Sequence, residues 1–273
     1  MAGVKLLVDV GNSRVKWAFG TADGFIALGE ARHNETGGFR AMFDAGHSPD
    51  EIRVANVAGA EAAAGLAASL RERFGVNPVL ARSAVSGAGV RNGYSDPAQL
   101  GVDRWLAICA AYARYRTRLC VVDAGTATTI DIVDSGGEHQ GGLIMPGIAL
   151  MQSALLGSTG DLARLAAESG SKTAPPGTGP DSPGLVMELG RDTAAAIRGA
   201  AVQATACLVW NCLGSPRNKG SQSAVAEILV LTGGDAPLLG AAVRRMAGAS
   251  GRDEARGIRL EYRPQLVLEG LAL

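Results

Sequence analysis

The sequence predicts an α/β fold made of two lobes that each begin with the same strand–turn–strand unit. Short apolar runs that end in Gly turns alternate with Ala- and Leu-rich stretches of helical length. Residues 7–13 (LVDVGNS) also resemble residues 121–127 (VVDAGTA), nearly half a chain further on. We therefore expect an N-terminal lobe over residues 1–117 and a C-terminal lobe over residues 118–273, with the two hairpins facing a shared cleft.

The composition indicates a large core and gives no sign of a nucleic-acid or membrane partner. Of the 273 residues, 47% are hydrophobic and only 4% are aromatic, so we expect a core of Ala, Val, Leu and Ile. The formal net charge is +0, whereas nucleic-acid binders usually carry a basic excess that neutralises phosphates. The N-terminus lacks the pattern of a signal peptide, and no apolar run reaches the ~20 residues of a membrane-spanning helix. We expect a cytoplasmic protein.

In the N-terminal lobe, the apolar periodicity predicts three strands and a helical region on each side of residue 90. The first strand ends at the turn 11–13, so the second strand returns as a hairpin, and an Ala-rich helix ends at Gly75. The predicted elements are strands Lys5–Val10, Val15–Phe19 and Ile52–Val57, helix Glu61–Phe74, and one long or two short helices over Pro97–Tyr115.

In the C-terminal lobe, the same signals predict a second hairpin, two further strands and four helical segments. A stretch rich in Gly, Pro, Ser and Thr over residues 170–184 has no period and is predicted to be a loop. The predicted strands are Leu119–Val122, Thr128–Val133, Ile228–Leu231 and Ile258–Tyr262. The predicted helical segments are Leu162–Ala167, one or two helices over Leu185–Leu213, Pro237–Ala247, and a last helix that starts over Leu266–Leu271.

The two repeated hairpins have the residue types of phosphate-binding turns. Glycine at Gly11 and Gly125 permits a positive φ and a close approach to an anion, and successive N–H groups form an anion-binding concavity. The carboxylates of Asp9 and Asp123 repel phosphate unless a cation such as Mg²⁺ lies between them, so both are candidate metal-side residues. Hydroxyl and amide side chains add hydrogen-bond donors at Asn12, Ser13, Thr126 and Thr128.

The alternative interpretation is that each hairpin is an ordinary β-turn with a capping Asp. The presence of two copies favours phosphate binding, as does Thr232-Gly233-Gly234, a third Gly turn after a strand. The sequence contains neither a G-x-x-x-x-G-K-[ST] motif nor a strand–G-x-G-x-x-G–helix motif. These absences argue against a P-loop and against a Rossmann dinucleotide site.

The stretch 101–104 (GVDR) has the residue types for phosphoryl transfer to an alcohol. The Asp103 carboxylate can accept the hydroxyl proton as the oxygen attacks. The Arg104 guanidinium can bind a substrate carboxylate through two hydrogen bonds. The alternative is a surface helix with a neighbouring charge pair, and the composition alone leaves both interpretations open.

Four motifs together resemble the type III pantothenate kinase family, and the resemblance runs from Leu6 to the C-terminal tail. The motifs are Asp9-x-Gly11-Asn12-Ser13, Tyr94-x-x-Pro97-x-x-x-Gly101-x-Asp103-Arg104, Asp123-Ala124-Gly125-Thr126-Ala127 and Gly141-Gly142-Leu143-Ile144-Met145-Pro146-Gly147. The resemblance implies a duplicated actin-like (ribonuclease H-like) two-lobed ATPase fold. It also implies an enzyme that transfers the ATP γ-phosphoryl group to the 4′-hydroxyl of pantothenate, the first step of coenzyme A synthesis. Mg²⁺ with ATP, a monovalent cation (K⁺ or NH₄⁺) and a homodimer are implied with it.

The resemblance further implies roles for individual residues. Asp103 is implied as the catalytic base and Asp123 as the ligand of the monovalent cation, while Asp9 is the candidate Mg²⁺ ligand. The residues implied to bind pantothenate are Tyr94, Gly101, Val102, Asp103, Arg104 and Thr193. The residues implied to bind ATP are Asp9, Val10, Gly11, Asn12, Ser13, Arg14, Val15, Lys16, Thr126 and Gly233.

Residues outside these motifs give little sign of a further site. The histidines His33, His47 and His139 lack the spacing of metal ligands, so we predict surface positions for them. The glycines of the segment 141–147 are compatible with simple turns and also with close approach to pantothenate.

Two rival functions remain compatible with the same fold. The first is another small-molecule kinase, such as a sugar kinase, although the Cys-rich zinc motif usual in the repressor-related (ROK) sugar kinases is absent. The second is a regulatory homologue that has lost catalysis and acts in transcription. The balanced charge and the intact Asp9, Asp103 and Asp123 argue against the second rival. ATP turnover with and without pantothenate distinguishes the first rival from a pantothenate kinase, and a DNA shift assay at stated salt tests the second.

Overall fold

The computed structural model describes residues 3–32, 39–158, 189–214, 228–249 and 258–273. The chain forms two compact units. Unit 1 comprises Met1–Arg116, Gly137–His139 and Gln265–Leu273, and unit 2 comprises Thr117–Gly136 and Gln140–Pro264. The helix predicted over 162–167 and the loop predicted over 170–184 lie outside the described residues.

Groups of one to three strands are separated by helices along the described chain. The strands are β1 (Lys5–Val10), β2 (Arg14–Thr21), β3 (Gly24–Arg32), β4 (Glu51–Asn56), β5 (Val79–Leu80), β6 (Ser86–Gly87), β7 (Val90–Arg91), β8 (Leu119–Ala124), β9 (Ala127–Val133), β10 (His139–Pro146), β11 (Ile228–Thr232) and β12 (Arg259–Tyr262). The helices are α1 (Arg40–Phe43), α2 (Ala60–Phe74), α3 (Val102–Tyr115), α4 (Ile148–Ser158), α5 (Thr193–Gly214), α6 (Ala236–Ala249) and α7 (Leu266–Ala272), with a single 3₁₀ turn at Pro97–Gln99.

Unit 1 is built on a five-stranded sheet in the order β3-β2-β1-β4-β5. Strand β1 pairs antiparallel with β2 and parallel with β4. Because β1 is a central strand, four of its six residues are apolar and buried. The C-terminal helix α7 packs against α3 and against the strands β1, β2 and β4.

Unit 2 repeats this architecture with a five-stranded sheet in the order β10-β9-β8-β11-β12. Strand β8 pairs antiparallel with β9 and parallel with β11, as β1 does with β2 and β4. Helices α5 and α6 pack against each other, and α4 packs against α5. The same strand order in both sheets confirms the predicted duplicated α/β fold.

Each unit has an apolar core of its own. In unit 1 the core lies beneath α2 and includes Leu6, Val8, Phe19, Ile52 and Leu70. In unit 2 it is built mainly from Ala, Val, Leu and Ile side chains, as the composition predicts. Within the described residues, no helix is both long and apolar enough to cross a lipid bilayer.

Candidate functional site

The first predicted phosphate hairpin joins β1 to β2 through residues 11–13. The Gly11 amide donates a hydrogen bond to the Arg14 carbonyl oxygen at 3.0 Å, which closes the turn. The side chains of Asn12 and Ser13 are exposed. A Cβ atom at Gly11 would lie 3.2 Å from the Arg14 oxygen. The glycine therefore allows a tight turn in which the Asn12 and Ser13 side chains are exposed.

The residues that flank this turn differ in how far their side chains are buried. Val10 and Val15 are at most 1% exposed, so only their main-chain atoms can contact a nucleotide. Asp9 is half-buried and lies opposite Lys16 in the register of β1 and β2. The Arg14 guanidinium donates to Glu30 Oε1 on β3 at 2.8 Å, and both side chains are largely exposed.

The second predicted hairpin joins β8 to β9 around Gly125. The Gly125 amide donates to the Ala127 carbonyl oxygen at 3.1 Å, and the buried Gly147 donates to the Thr126 carbonyl oxygen at 2.9 Å. A Cβ atom at Gly147 would overlap the carbonyl oxygens of Gly125 and Thr126. Gly147 thus packs closely against the main chain of the turn, while the Thr126 side chain is exposed.

The positive φ predicted at Gly11 and Gly125 is wrong, because neither glycine is among those of the described chain with positive φ. Gly233 does have that conformation, with φ at +89°. Its turn follows β11, and Thr232 pairs with Asp123 of β8. A Cβ atom at Gly233 would overlap the Ala124 main chain and would lie 2.5 Å from Asp123 Oδ1. The Gly turn after β11 and the second hairpin therefore pack directly together.

The residue after this turn, Asp235, is anchored to the same place. Its amide donates to the Ala124 carbonyl oxygen at 2.9 Å. Burial raises the pKa of the Asp235 carboxyl above its usual value, and the positive charge of Arg198 opposes that rise. The carboxyl is thus held in a partly desolvated position at the start of α6.

The predicted acceptor motif forms the beginning of α3. Gly101 is the N-cap residue, and its carbonyl oxygen accepts from the Trp105 amide at 2.9 Å. Asp103 Oδ1 accepts from the Arg104 amide at 2.8 Å. A Cβ atom at Gly101 would lie 2.6 Å from that oxygen, which explains why glycine suits this position. The half-buried carboxylate lies at the positive end of the helix dipole.

Arg104 and Tyr94, which the sequence placed in one motif, are in direct contact. The Arg104 side chain is only 5% exposed. Its Nη1 donates to the Tyr94 hydroxyl at 2.8 Å, and its Cζ lies 5.6 Å from the centre of the Tyr94 ring. A buried and oriented guanidinium of this kind suits two-pronged binding of a carboxylate.

Two further residues hold Tyr94, and the sequence did not reveal either of them. The Asn92 side chain is buried, accepts from the Tyr94 amide at 3.0 Å and donates to the carbonyl oxygens of Ala84 and Pro97. The ring of His139 stacks on the Tyr94 ring, with centres 5.9 Å apart and planes 11° apart. His139 is 3% exposed, so its predicted surface position is wrong, whereas His33 lies outside the described residues.

Thr193 lies in unit 2, as the first residue of α5. Asp192 precedes it and caps the helix, because Asp192 Oδ1 accepts from the Ala195 amide at 2.8 Å. A Cβ atom at Gly190 would overlap the main chain of Ala196. These contacts fix the main chain over residues 190–193. Val102, another residue of the predicted pantothenate site, is the first residue of α3.

The Asp9 and Asp123 carboxylates suit cations whose other ligands are oxygens of phosphate groups and water. No cluster of three or more His, Cys, Asp or Glu side chains suited to a metal occurs in the described part of the chain. Mg²⁺ in kinase sites is typically held by one or two carboxylates together with substrate phosphates and water. Asp123 Oδ1 is bordered by Gly125 and Gly233, where added Cβ atoms would lie 3.5 Å and 2.5 Å away. The two glycines keep space beside this oxygen that a side chain would fill.

Comparisons with known proteins agree with the motif resemblance. A family model described as type III pantothenate kinase matches residues 5–213. A type III pantothenate kinase from Azoarcus sp. (strain BH72) is 37% identical over 98% of this chain and 89% of the relative. One from Alcanivorax borkumensis is 32% identical over 97% of this chain and 96% of the relative. One from Aromatoleum aromaticum is 42% identical, over 58% of this chain and 64% of the relative, so that match spans less than two thirds of the relative.

Solved structures are similar in fold at low sequence identity. A Sinorhizobium meliloti protein named for a proposed 2-dehydro-3-deoxygalactonokinase activity gives a TM-score of 0.53 at 14% identity, over 98% of this chain and 97% of that chain. A Campylobacter jejuni protein named for a proposed role as a Baf family transcriptional activator gives 0.50 at 19% identity, over 98% and 95%. At such identities the likeness concerns the fold alone, which is the two-lobed actin-like ATPase fold.

Proposed function

This chain belongs to the type III pantothenate kinase family, and on that premise we propose that it transfers the γ-phosphoryl group of ATP to the 4′-hydroxyl of pantothenate. The observation that carries the proposal is the start of α3, where the Asp103 carboxylate is followed by the buried, Tyr94-bonded guanidinium of Arg104. Pantothenate has both groups that these residues suit, a primary alcohol and a carboxylate. Its phosphorylation is the first step of coenzyme A synthesis.

In the proposed reaction Asp103 is the catalytic base. A primary alcohol is hardly ionised at neutral pH, so a carboxylate that takes its proton as the oxygen attacks assists the transfer. Arg104 binds the pantothenate carboxylate, and the hydrogen bond to Tyr94 keeps the guanidinium oriented. Gly101, Val102 and Thr193 complete the proposed pantothenate-binding set.

The proposed ATP contacts are the two hairpins and the Gly turn after β11. The exposed side chains of Asn12, Ser13 and Thr126 offer donors to phosphate oxygens, and the Gly233 turn binds the adenosine. The remaining proposed contacts are Asp9, Val10, Gly11, Arg14, Val15 and Lys16. Asp9 is the proposed Mg²⁺ ligand, and the bound ion would neutralise the charge of the phosphates. We place the reaction in the cytoplasm, where ATP is available.

We expect activity in potassium or ammonium and a steep loss of activity in sodium-only buffer. The carboxylate of Asp123, with open space left by Gly125 and Gly233, is the proposed ligand of the monovalent cation. The measurement is the initial rate at constant ionic strength and constant MgATP, with potassium chloride replaced stepwise by sodium chloride. Equal rates in the two salts would contradict this assignment of Asp123.

We also expect a homodimer in solution. A small, flexible acceptor needs walls around it, and unit 2 exposes apolar side chains on β10 and α4 that a second copy can cover. These side chains are Leu143, Ile144, Leu150 and Leu155. Sedimentation velocity at concentrations used for kinetics measures the species present. A monomer with full activity would rule out a site completed by a partner subunit.

The direct test of the proposed function is a coupled assay of ADP release by the purified protein. The acceptors compared are pantothenate, a set of hexoses and no acceptor, each with and without potassium. We expect rapid turnover only when pantothenate is the acceptor and potassium is present. Turnover with a hexose would indicate another kinase of the same fold. No turnover with any acceptor, together with a shift of DNA at stated salt, would indicate the regulatory alternative.

A further inference from the structure

The buried histidine His139 has no part in the roles above, although its ring lies against a proposed substrate-binding residue. We propose that His139 is a positioning residue: its ring holds the Tyr94 ring in place, and Tyr94 in turn orients the Arg104 guanidinium toward the acceptor carboxylate. This inference rests on the proposed function and names a determinant of acceptor binding within it.

The contacts of Tyr94 form a chain from His139 to Arg104. The His139 and Tyr94 rings are nearly parallel, 11° apart, with centres separated by 5.9 Å. The Tyr94 hydroxyl then accepts the hydrogen bond from Arg104 Nη1 at 2.8 Å. Because that hydroxyl is at the far end of the ring, a small tilt of the ring displaces it and changes the direction of the hydrogen bond.

The main chain of Tyr94 is held independently of its ring. The Asn92 side chain accepts from the Tyr94 amide at 3.0 Å and fixes the backbone at that position. Rotation about the side-chain bonds is therefore the freedom that remains to Tyr94. The flat face of His139 limits that rotation, and no other aromatic ring pairs with the Tyr94 ring among the described residues.

Contacts made by the two preceding residues, Gly137 and Glu138, bring His139 to this place. The Arg91 amide donates to the Gly137 carbonyl oxygen at 2.9 Å, and the Arg91 guanidinium lies 3.7 Å from Glu138 Oε1. Gly137 has φ at +87°, and a Cβ atom there would overlap the Gly89 carbonyl oxygen. The residues 137–139 are thus docked on the loop that leads to Tyr94, which gives His139 a defined orientation.

The test begins with His139→Leu, which places an apolar side chain of similar size at the buried position and removes the flat ring. We expect the KM for pantothenate to rise about tenfold, as for a weakened hydrogen bond to a charged group. We expect kcat and the KM for ATP to stay within about twofold, because neither depends on the orientation of Arg104. His139→Phe restores a flat ring and is expected to return the KM for pantothenate close to that of the wild type.

His47→Leu is the matched control, because the ring of His47 also lies against an aromatic ring. The centres of the His47 and Phe19 rings are 5.1 Å apart, and Phe19 belongs to the core of unit 1. We expect no change in the KM for pantothenate. A loss of kcat, or a rise in the KM for ATP equal to that for pantothenate, in His139→Leu would show a general structural role and would overturn the inference. Failure of His139→Phe to restore the KM would do the same.

A double-mutant cycle then tests whether His139 acts through the Tyr94 hydroxyl. Without that hydroxyl, the tilt of the ring no longer affects Arg104, so His139→Leu should add little to the KM change of Tyr94→Phe. Fully additive changes would overturn the proposed route. A second cycle, which pairs His139→Leu with Tyr94→Leu and is measured by urea unfolding, requires no substrate, and additive free energies there would show that the two rings do not interact. If the wild type does not phosphorylate pantothenate, the proposed function fails, and the unfolding cycle still decides whether His139 and Tyr94 are coupled.

Discussion

Asp103→Asn is expected to lower kcat by about 10²–10⁴-fold, the usual contribution of a general base. The substitution removes the proton acceptor but nearly keeps the shape of the side chain. Asn also retains an oxygen that can accept from the Arg104 amide, as Asp103 Oδ1 does at 2.8 Å. We therefore expect normal folding by circular dichroism and a KM for ATP close to that of the wild type. Steady-state kinetics with pantothenate as the varied acceptor measure the effect.

Asp96→Asn is the matched control for this prediction. Asp96 belongs to the same segment and caps the 3₁₀ turn by accepting from the Ala98 amide at 3.1 Å. Asparagine caps about as well as aspartate, so we expect kcat within about twofold of the wild type. If Asp103→Asn also stays within about threefold, Asp103 is not the base, and it forms only a helix-end contact with Arg104.

Gly233→Ala is expected to raise the KM for ATP by about 100-fold. A Cβ atom would overlap the Ala124 main chain and crowd the Asp123 carboxylate, so the turn must move away from its position beside the nucleotide. A loss of about 2.8 kcal/mol of ATP binding corresponds to that 100-fold change. The φ of +89° adds strain for any L-residue, on the order of 1–2 kcal/mol. ATP-dependent kinetics and thermal unfolding measure the two effects.

Gly234→Ala separates local crowding from the loss of a glycine as such. A Cβ atom at Gly234 would meet no atom within 4 Å, and its φ is not in the positive range. We expect its Tm to match that of the wild type, and its KM for ATP to change much less than in Gly233→Ala. An unchanged KM for ATP in Gly233→Ala, together with a lowered Tm, would remove this turn from the nucleotide site.

Most of the elements in the described chain could be predicted because their sequence signals are local. Strand β1 was predicted at its observed bounds, since a buried central strand is a continuous apolar run. Strands β3 and β10 were not predicted. Both are edge strands, and their exposed residues and glycines weaken the apolar pattern. Helix α4 was also missed, because its apolar side chains are mostly exposed or half-buried and its sequence shows no helical period.

Contacts within the candidate site could be predicted only as far as its motifs are contiguous in the chain. Tyr94 and Arg104 belong to one stretch, and their contact agrees with it. The stacking of His139 on Tyr94 joins residues 45 positions apart, and no spacing rule predicts such a contact. The need for glycine at two positions could not be predicted either. Gly147 and Gly233 pack so closely against the second hairpin that a side chain would not fit, and only the folded chain reveals this packing.

Transfer of labelled phosphate tests the central claim most directly. The purified protein is incubated with ATP labelled at the γ-phosphoryl group, pantothenate and potassium, and the products are separated and identified by mass spectrometry and phosphorus NMR. We predict that the label moves to pantothenate and that its phosphorus couples to the methylene protons beside the former 4′-hydroxyl. Label that stays in ATP, or that appears only as inorganic phosphate, would contradict the assignment of this chain as a pantothenate kinase.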